Sequence, residues 1–226
     1  KLLGHKIILA YILVNTVEEF QGMNPKDVVK YIEGEPYIST VPLDPGMTNT
    51  KERKEESIKE TETPEQIRGL NTENSELNEG MIRFDIIFYV RMKDGLTQII
   101  VNIEAQKEEP GKYYILNRAI FYIGRIVSSQ KGRDFVKSEY NKMKRVYSIW
   151  ICMRVPKKIE NTITEFAVKQ NNVVGKQGNL GRYDLFRCIF VCLSDEMTGQ
   201  REEVRLHRLL ETLFADGISL SERRNI

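Results

Sequence analysis

Asp94-Gly95 lies between two runs of β-branched and aromatic residues, 81–90 and 98–106, and leaves this chain little choice of local structure. Both central positions of a type I′ turn need a positive φ, so Asp-Gly between alternating runs is the strongest short-range hairpin signal. Once these two residues form the turn, the register follows, and the numbers of facing residues add to 189. Val90 then faces Ile99, Phe88 faces Val101 and Ile86 faces Ile103, which makes one face apolar throughout. The other face sets Ile87 against Asn102 and Asp85 against Glu104, with Gln106 two residues further along. A slip by one residue would exchange the faces, so this sorting supports a register chosen from the turn alone.

Around the hairpin the chain reads as helix, insertion, two strands, helix, strand, then strand and helix, an α/β order. The first helix is expected over residues 2–21, ended by Gly22 and Pro25, and a second, short one over 26–33 with Asn24 as its N-cap. Residues 45–80 are poor in apolar side chains and dense in Glu and Lys. A stretch so polar cannot offset its ordering entropy, and it reads as a solvated, partly mobile insertion in a single domain spanning residues 1–226. A helix is expected over 112–129, strands over 146–155, 163–168 and 184–193, and a closing amphipathic helix over 202–214.

The 34 basic and 32 acidic side chains give a net charge of +2, and 41% of the chain is apolar, which excludes a polybasic or acidic tail and a disordered segment. Cys152, Cys188 and Cys192 form no C-x-x-C pair, and His5 and His207 lie at opposite ends, so no structural zinc motif is present. Three cysteines without a disulfide pattern fit a reducing, cytoplasmic compartment, and Cys188 and Cys192, four apart on one strand, read as small buried groups. The opening Lys1 to Lys6 and apolar 7–14 have the outline of a signal peptide. No small-x-small site follows, however, and the run is too short for a membrane span, so it reads as a buried helix with no membrane partner.

Asp85 facing Glu104 is the arrangement that calls for chemistry. Strand carboxylates usually line a solvated face, and two directly opposite, Cβ atoms ~5 Å apart, repel each other. A hard divalent cation turns that repulsion into a site, since Mg²⁺ takes oxygen ligands from one or two carboxylates plus water and phosphate. Gln106 on the same face adds a hydrogen-bonding group without charge. A glycosidase built on the same two carboxylates would need sugar-stacking aromatics around them, and the sequence offers none there.

Asp85, then Glu104-Ala105-Gln106 at the end of the following strand, then a helix, resembles the PD-(D/E)XK nuclease core with glutamine in place of the lysine. More closely, Ile82-Arg-Phe-Asp-Ile-Ile-Phe88, Ile103-Glu-Ala-Gln-Lys107, Asn117-Arg-Ala-Ile-Phe-Tyr122 and Val146-Tyr-Ser-Ile-Trp-Ile-Cys152 resemble the recombination-promoting nuclease family, also described as PD-(D/E)XK nuclease family transposases. The similarity runs from about Lys6 to Leu210 and is densest between Asn71 and Met153. It implies a restriction-endonuclease-like α/β fold, a central mixed sheet flanked by helices. It also implies a Mg²⁺-dependent DNA endonuclease of a mobile-element or recombination system, nucleoid-associated when bound, with Mn²⁺ as a substitute ion and a homo-oligomer admitted. Asp85 and Glu104 would hold the metal, joined by Glu19 from the first helix, with Glu18 the second choice. Gln106 would stand where the lysine activates water, and Arg118 and Tyr122, four apart on one helix face, would reach the phosphate or buttress the acids. Phe84 replaces the motif's proline, which makes no catalytic contact. Glutamine for lysine removes a cation, so the alternative is a catalytically weakened nuclease-fold module that binds DNA or a protein partner.

Lys131, Arg133, Lys137, Lys142, Lys144 and Arg145 follow that helix, with Phe135 and Tyr140 interleaved, and are the expected DNA-backbone contacts. Asp134 and Glu139 dilute their charge. Tyr113, Tyr114 and Tyr122 are expected to pack on the sheet rather than stack bases, and Trp150 to lie in the core. Arg201, Arg205 and Arg208 read as the solvated side of the last helix.

Overall fold

In a computed structural model of the chain, residues 2–34, 37–38, 73–76, 79–83, 85–92, 98–108, 110–178, 181–194 and 205–214 are described. They form helices α1 (Lys6–Thr16), α2 (Pro25–Val28), α3 (Ile115–Ser128) and α4 (Arg205–Phe214). The strands are β1 (Tyr37–Ile38), β2 (Glu73–Glu76), β3 (Glu79–Arg83), β4 (Ile86–Arg91), β5 (Gln98–Glu108), β6 (Arg145–Arg154), β7 (Thr162–Ala167) and β8 (Phe186–Cys192). A mixed sheet runs in the order β1-β4-β5-β6-β8-β7, and β2 and β3 form a separate ladder. β5, β6 and β8 are mutually parallel, while β4 and β7 run antiparallel to their neighbours on the two flanks.

The β4–β5 register is the one the hairpin predicts, from Ile86 opposite Ile103 to Arg91 opposite Gln98. The Asp94-Gly95 turn lies outside the described residues, as does most of the expected insertion, whose end supplies β2 and the start of β3. One expectation needs correction. Residues 81–90 are not one strand; the chain leaves β3 at Arg83, bends at Asp85 and enters the main sheet at Ile86.

Side-chain parity assigns the two sheet faces. Ile86, Phe88, Val90, Ile99, Val101, Ile103, Tyr147, Ile149, Ile151, Ile189 and Val191 share a core with α1 and α4. Ile87, Ile100, Val146, Trp150, Cys188 and Phe190 share the other with Ala119, Tyr122, Ile123 and Ile126 of α3. β6 is buried from Val146 to Cys152 because both faces are covered, which accounts for its unbroken apolar sequence. α1 is largely apolar and buries Leu9, Ala10, Ile12 and Leu13 completely, while Ile7, Tyr11 and Asn15, four apart, form its exposed stripe. It is shorter than expected: helical hydrogen bonding stops at Thr16, a 3₁₀ turn follows over Glu18–Phe20, and Gly22 takes the positive φ (75°) that reverses the chain. Asn24 caps α2 as expected, its Oδ1 accepting from Lys26 N at 3.0 Å. No helix among the described residues is long and apolar enough to cross a membrane.

Candidate active site

Asn102, Glu104 and Gln106 occupy even positions of β5 and so project on the α3 side, beside Ser148, Trp150 and Cys152 of the parallel partner β6. Asn102 Nδ2 donates to Ser148 Oγ (3.2 Å), as does Trp150 Nε1 (2.9 Å), so this interior stripe of polar atoms is tied together. Glu104 is only 2% exposed. Asp85 reaches it from the bend, where the ladder ends and side chains continue it. Asp85 N donates to Glu104 Oε1 at 3.2 Å, and Asp85 Oδ2 accepts from Ala105 N at 2.9 Å. Each carboxylate thus accepts a backbone N–H from the strand opposite, and the two acids meet in the register that the sequence anticipates.

Their electrostatics follow from that placement. Burial, and then the charge of Asp85, push the Glu104 carboxyl up to about 8, against the pull of the Asp85 backbone N–H, Arg118 and Asn102. Asp85 is also raised, by burial of its carboxyl, while the Ala105 N–H and Arg118 act the other way. As a residue Asp85 is exposed at the sheet rim, but its carboxyl turns inward onto the β5 backbone. Near neutrality the pair therefore retains a proton, as two desolvated acids facing each other must.

Arg118 stands over this pair from the first turns of α3. Its guanidinium carbon is 5.0 Å from the Tyr122 ring centroid and 5.2 Å from that of Trp150. Its Nη1 lies 3.4 Å from both Gln106 Oε1 and Tyr113 OH. Aromatic faces hold an arginine while leaving its N–H edge free to meet an anion. Gln106 is engaged at both ends, since its Nε2 donates to the Glu108 carbonyl. Tyr122, 7% exposed, has its hydroxyl pKa raised by burial and by Glu104, with Arg118 opposing.

Asp85, Glu104, Gln106, Arg118 and Tyr122 are therefore brought together; Glu19 is not. It lies beyond α1 on the opposite side of the sheet, bound by Arg145 and by Tyr147 OH (2.8 Å). Arg145 pairs with Ile99 and Trp150 with Glu104, so five residues, about 16 Å of strand, also separate the two acids. Glu18 pairs with Arg187 at 3.1 Å and is no better placed. Neither joins the site, because sequence distance from a helix end does not say which side of the sheet that end reaches.

The basic segment lies at the same remote end, and much of its charge is matched within the chain. Asp134 accepts from Tyr89 OH (2.6 Å), Lys144 Nζ (2.5 Å) and Arg133 Nε (2.9 Å). Burial would raise the Asp134 pKa, but these donors outweigh it and hold it below the usual range. Lys142 pairs with Glu139, and Arg145 with Glu19 and Asp184. Lys131 and Lys137 are exposed and have no ion pair among the described residues. Tyr122 and Trp150 pack as expected, whereas Tyr113 and Tyr114 are exposed, at 46% and 75%. Tyr113 and Asn102 also belong to the site, although the sequence places Asn102 only on the same face as Glu104 and Tyr113 only in sheet packing. A polar residue inside an otherwise apolar strand was the available signal for Asn102; Tyr113 left none. Arg201 lies outside the described residues, and Arg208 is exposed.

Among the described residues no group of three or more His, Cys, Asp or Glu side chains gathers as a metal cluster. The carboxylates offer two ligands, and the rest of a cation's shell would come from water and substrate. No protein-family model, curated protein or solved structure matches the chain.

Proposed function

We propose that this chain is a Mg²⁺-dependent DNA endonuclease with a PD-(D/E)XK-type core, acting in a mobile-element or recombination context. The observation that carries the proposal is the buried Glu104 facing Asp85, its pKa raised to about 8 by burial and by that neighbour. Such a pair costs stability as a structural feature and suits a cation as a functional one. The residues present fit a hard divalent ion: the donors are oxygens, and among the described residues no hydrogen bond reaches Asp85 Oδ1. When bound, Mg²⁺ supplies Lewis acidity and charge that offsets the phosphate.

The chain's own groups divide the remaining work. Asp85 and Glu104 shed their retained proton and fix the ligand geometry. Arg118, set over two neighbouring aromatic rings, directs N–H donors to a phosphate oxygen. Gln106 accepts a hydrogen bond from water and orients it, but has no basicity with which to take a proton. Tyr122 supports Arg118.

Gln106 also favours a second reading, because both ends of its amide are already bonded inside the chain. On that reading the fold is a catalytically weakened module that binds DNA or a protein. Supercoiled plasmid with Mg²⁺ or Mn²⁺ separates the two. The endonuclease nicks it, while Asp85→Asn and Glu104→Gln, which keep a backbone acceptor, do not. Equal nicking by all three proteins removes the assigned site. An inactive wild type that still binds duplex DNA establishes the module.

A further inference from the structure

The three cysteines do not stand alone in the fold. Cys152 of β6 and Cys192 of β8 are register partners on adjacent parallel strands and share the α3 side of the sheet. Neighbouring strands lie ~4.8 Å apart, within the Cα separation that a disulfide spans. Cys188 is excluded from either pairing. It partners Ser148, so Cys152 and Cys192 are each four residues, about 13 Å, further along the strands. Of the three pairings that three cysteines allow, geometry admits one.

The pair also has an approach. A cavity of about 70 Å³ at the C-terminal ends of β5, β6 and β8 is lined by Cys152, Cys192 and apolar residues such as Phe190, and by polar Gln106, Glu108 and Arg154. A water molecule's share of the liquid is ~30 Å³, so the space admits a small oxidant such as hydrogen peroxide. The two sulfurs differ. Hydrogen bonding with Cys152, and to a smaller extent with Thr162, brings the Cys192 thiol down to about 7 despite burial. Cys188, without such a donor, is pushed by burial up to about 12.

We propose that Cys152 and Cys192 form a peroxide-reactive dithiol that closes to an intrachain cross-strand disulfide. The Cys192 thiolate attacks the peroxide O–O bond, giving a sulfenic acid and releasing hydroxide. Cys152 sulfur then attacks that sulfenic sulfur; the S–S bond forms, and water leaves with the thiol proton. Two thiols are oxidised for one peroxide reduced. This inference stands apart from the nuclease reading and uses none of its residues as reactants.

Stoichiometric hydrogen peroxide followed by intact-mass and tandem mass spectrometry tests it. Wild type and Cys188→Ser should each lose about 2 Da, with residues 152 and 192 linked. Cys152→Ser should instead trap a dimedone-reactive sulfenic acid at Cys192. In the reduced wild type, iodoacetamide should modify Cys192 roughly tenfold or more faster than Cys188. No loss of mass, a link through Cys188, or a link only between two chains on a non-reducing gel overturns the proposal. The wild-type measurements decide this even where a serine variant fails to fold.

Discussion

Replacing Glu104 with glutamine should make this protein more stable, and increasingly so as pH rises. The carboxyl changes from 4.5 to about 8 on folding, so between those values the unfolded chain is ionised where the native chain holds a proton. The unfolded state then binds fewer protons, and stability falls with rising pH by about 1.4 kcal/mol per unit. At pH 7 the accumulated cost is about 3 kcal/mol, and above pH 8 it levels off. Because Glu104 is 2% exposed, solvent screening does not discount that figure substantially. Glutamine has nearly the same shape, keeps an oxygen to accept from Asp85 N and carries no proton to lose. Denaturant unfolding from pH 5 to pH 9 without divalent ions measures the effect. Near pH 5 the two proteins should differ by less than about 1 kcal/mol, and the gap should open as pH rises. Parallel pH curves, or a variant less stable at pH 8 than wild type, would refute the view that burial and Asp85 hold this acid protonated.

Metal affinity carries the same proton. Below about pH 8, Mn²⁺ should bind about tenfold more tightly per pH unit, with about one proton released per ion by calorimetry in buffers of different ionisation enthalpy; affinity independent of pH counts against Glu104 as a ligand. Arg118→Met should lower plasmid nicking by about 10²-fold or more and raise the Glu104 pKa further, as carboxyl titration by NMR would register. Asp134→Asn should release Lys144 and Arg133, strengthening duplex binding at low salt and steepening its salt dependence; unchanged binding in a filter assay would show that this segment does not meet DNA. Phe88→Ala, wholly within the core, should cost about 3–5 kcal/mol by denaturant unfolding without affecting the pH dependence assigned to Glu104.

The hairpin register was legible because it is a local property: a turn fixes it, and alternation over a few residues checks it. The break between β3 and β4 was not, because alternation continues through Arg83 and into Ile86. Past Ile86 the backbone ladder gives way to long-range bonds through side chains, Ala105 N to Asp85 among them, which local alternation does not encode. The site's chemistry was legible to the extent that it rides on β4, β5 and α3, whose spacings are local. Glu19 failed because the face reached by a 3₁₀ turn after α1 depends on how that helix crosses the sheet. The Cys152–Cys192 partnership is a parallel register between strands separated by β7 and an exposed arm, and no local pattern encodes it.

The reciprocal bonding of Asp85 and Glu104 has a genetic consequence. Their oxygens serve as the last rung between two strands as well as the candidate metal ligands, so substitutions here alter assembly and chemistry together. A screen for inactive variants would recover two kinds of lesion at each position without distinguishing them. Alanine at 85 loses the acceptor for Ala105 N–H and frees the sheet's end to fray, whereas asparagine keeps an acceptor and removes only the charge. The difference in phenotype between those two alleles, rather than either alone, would separate the contribution to folding from the contribution to function.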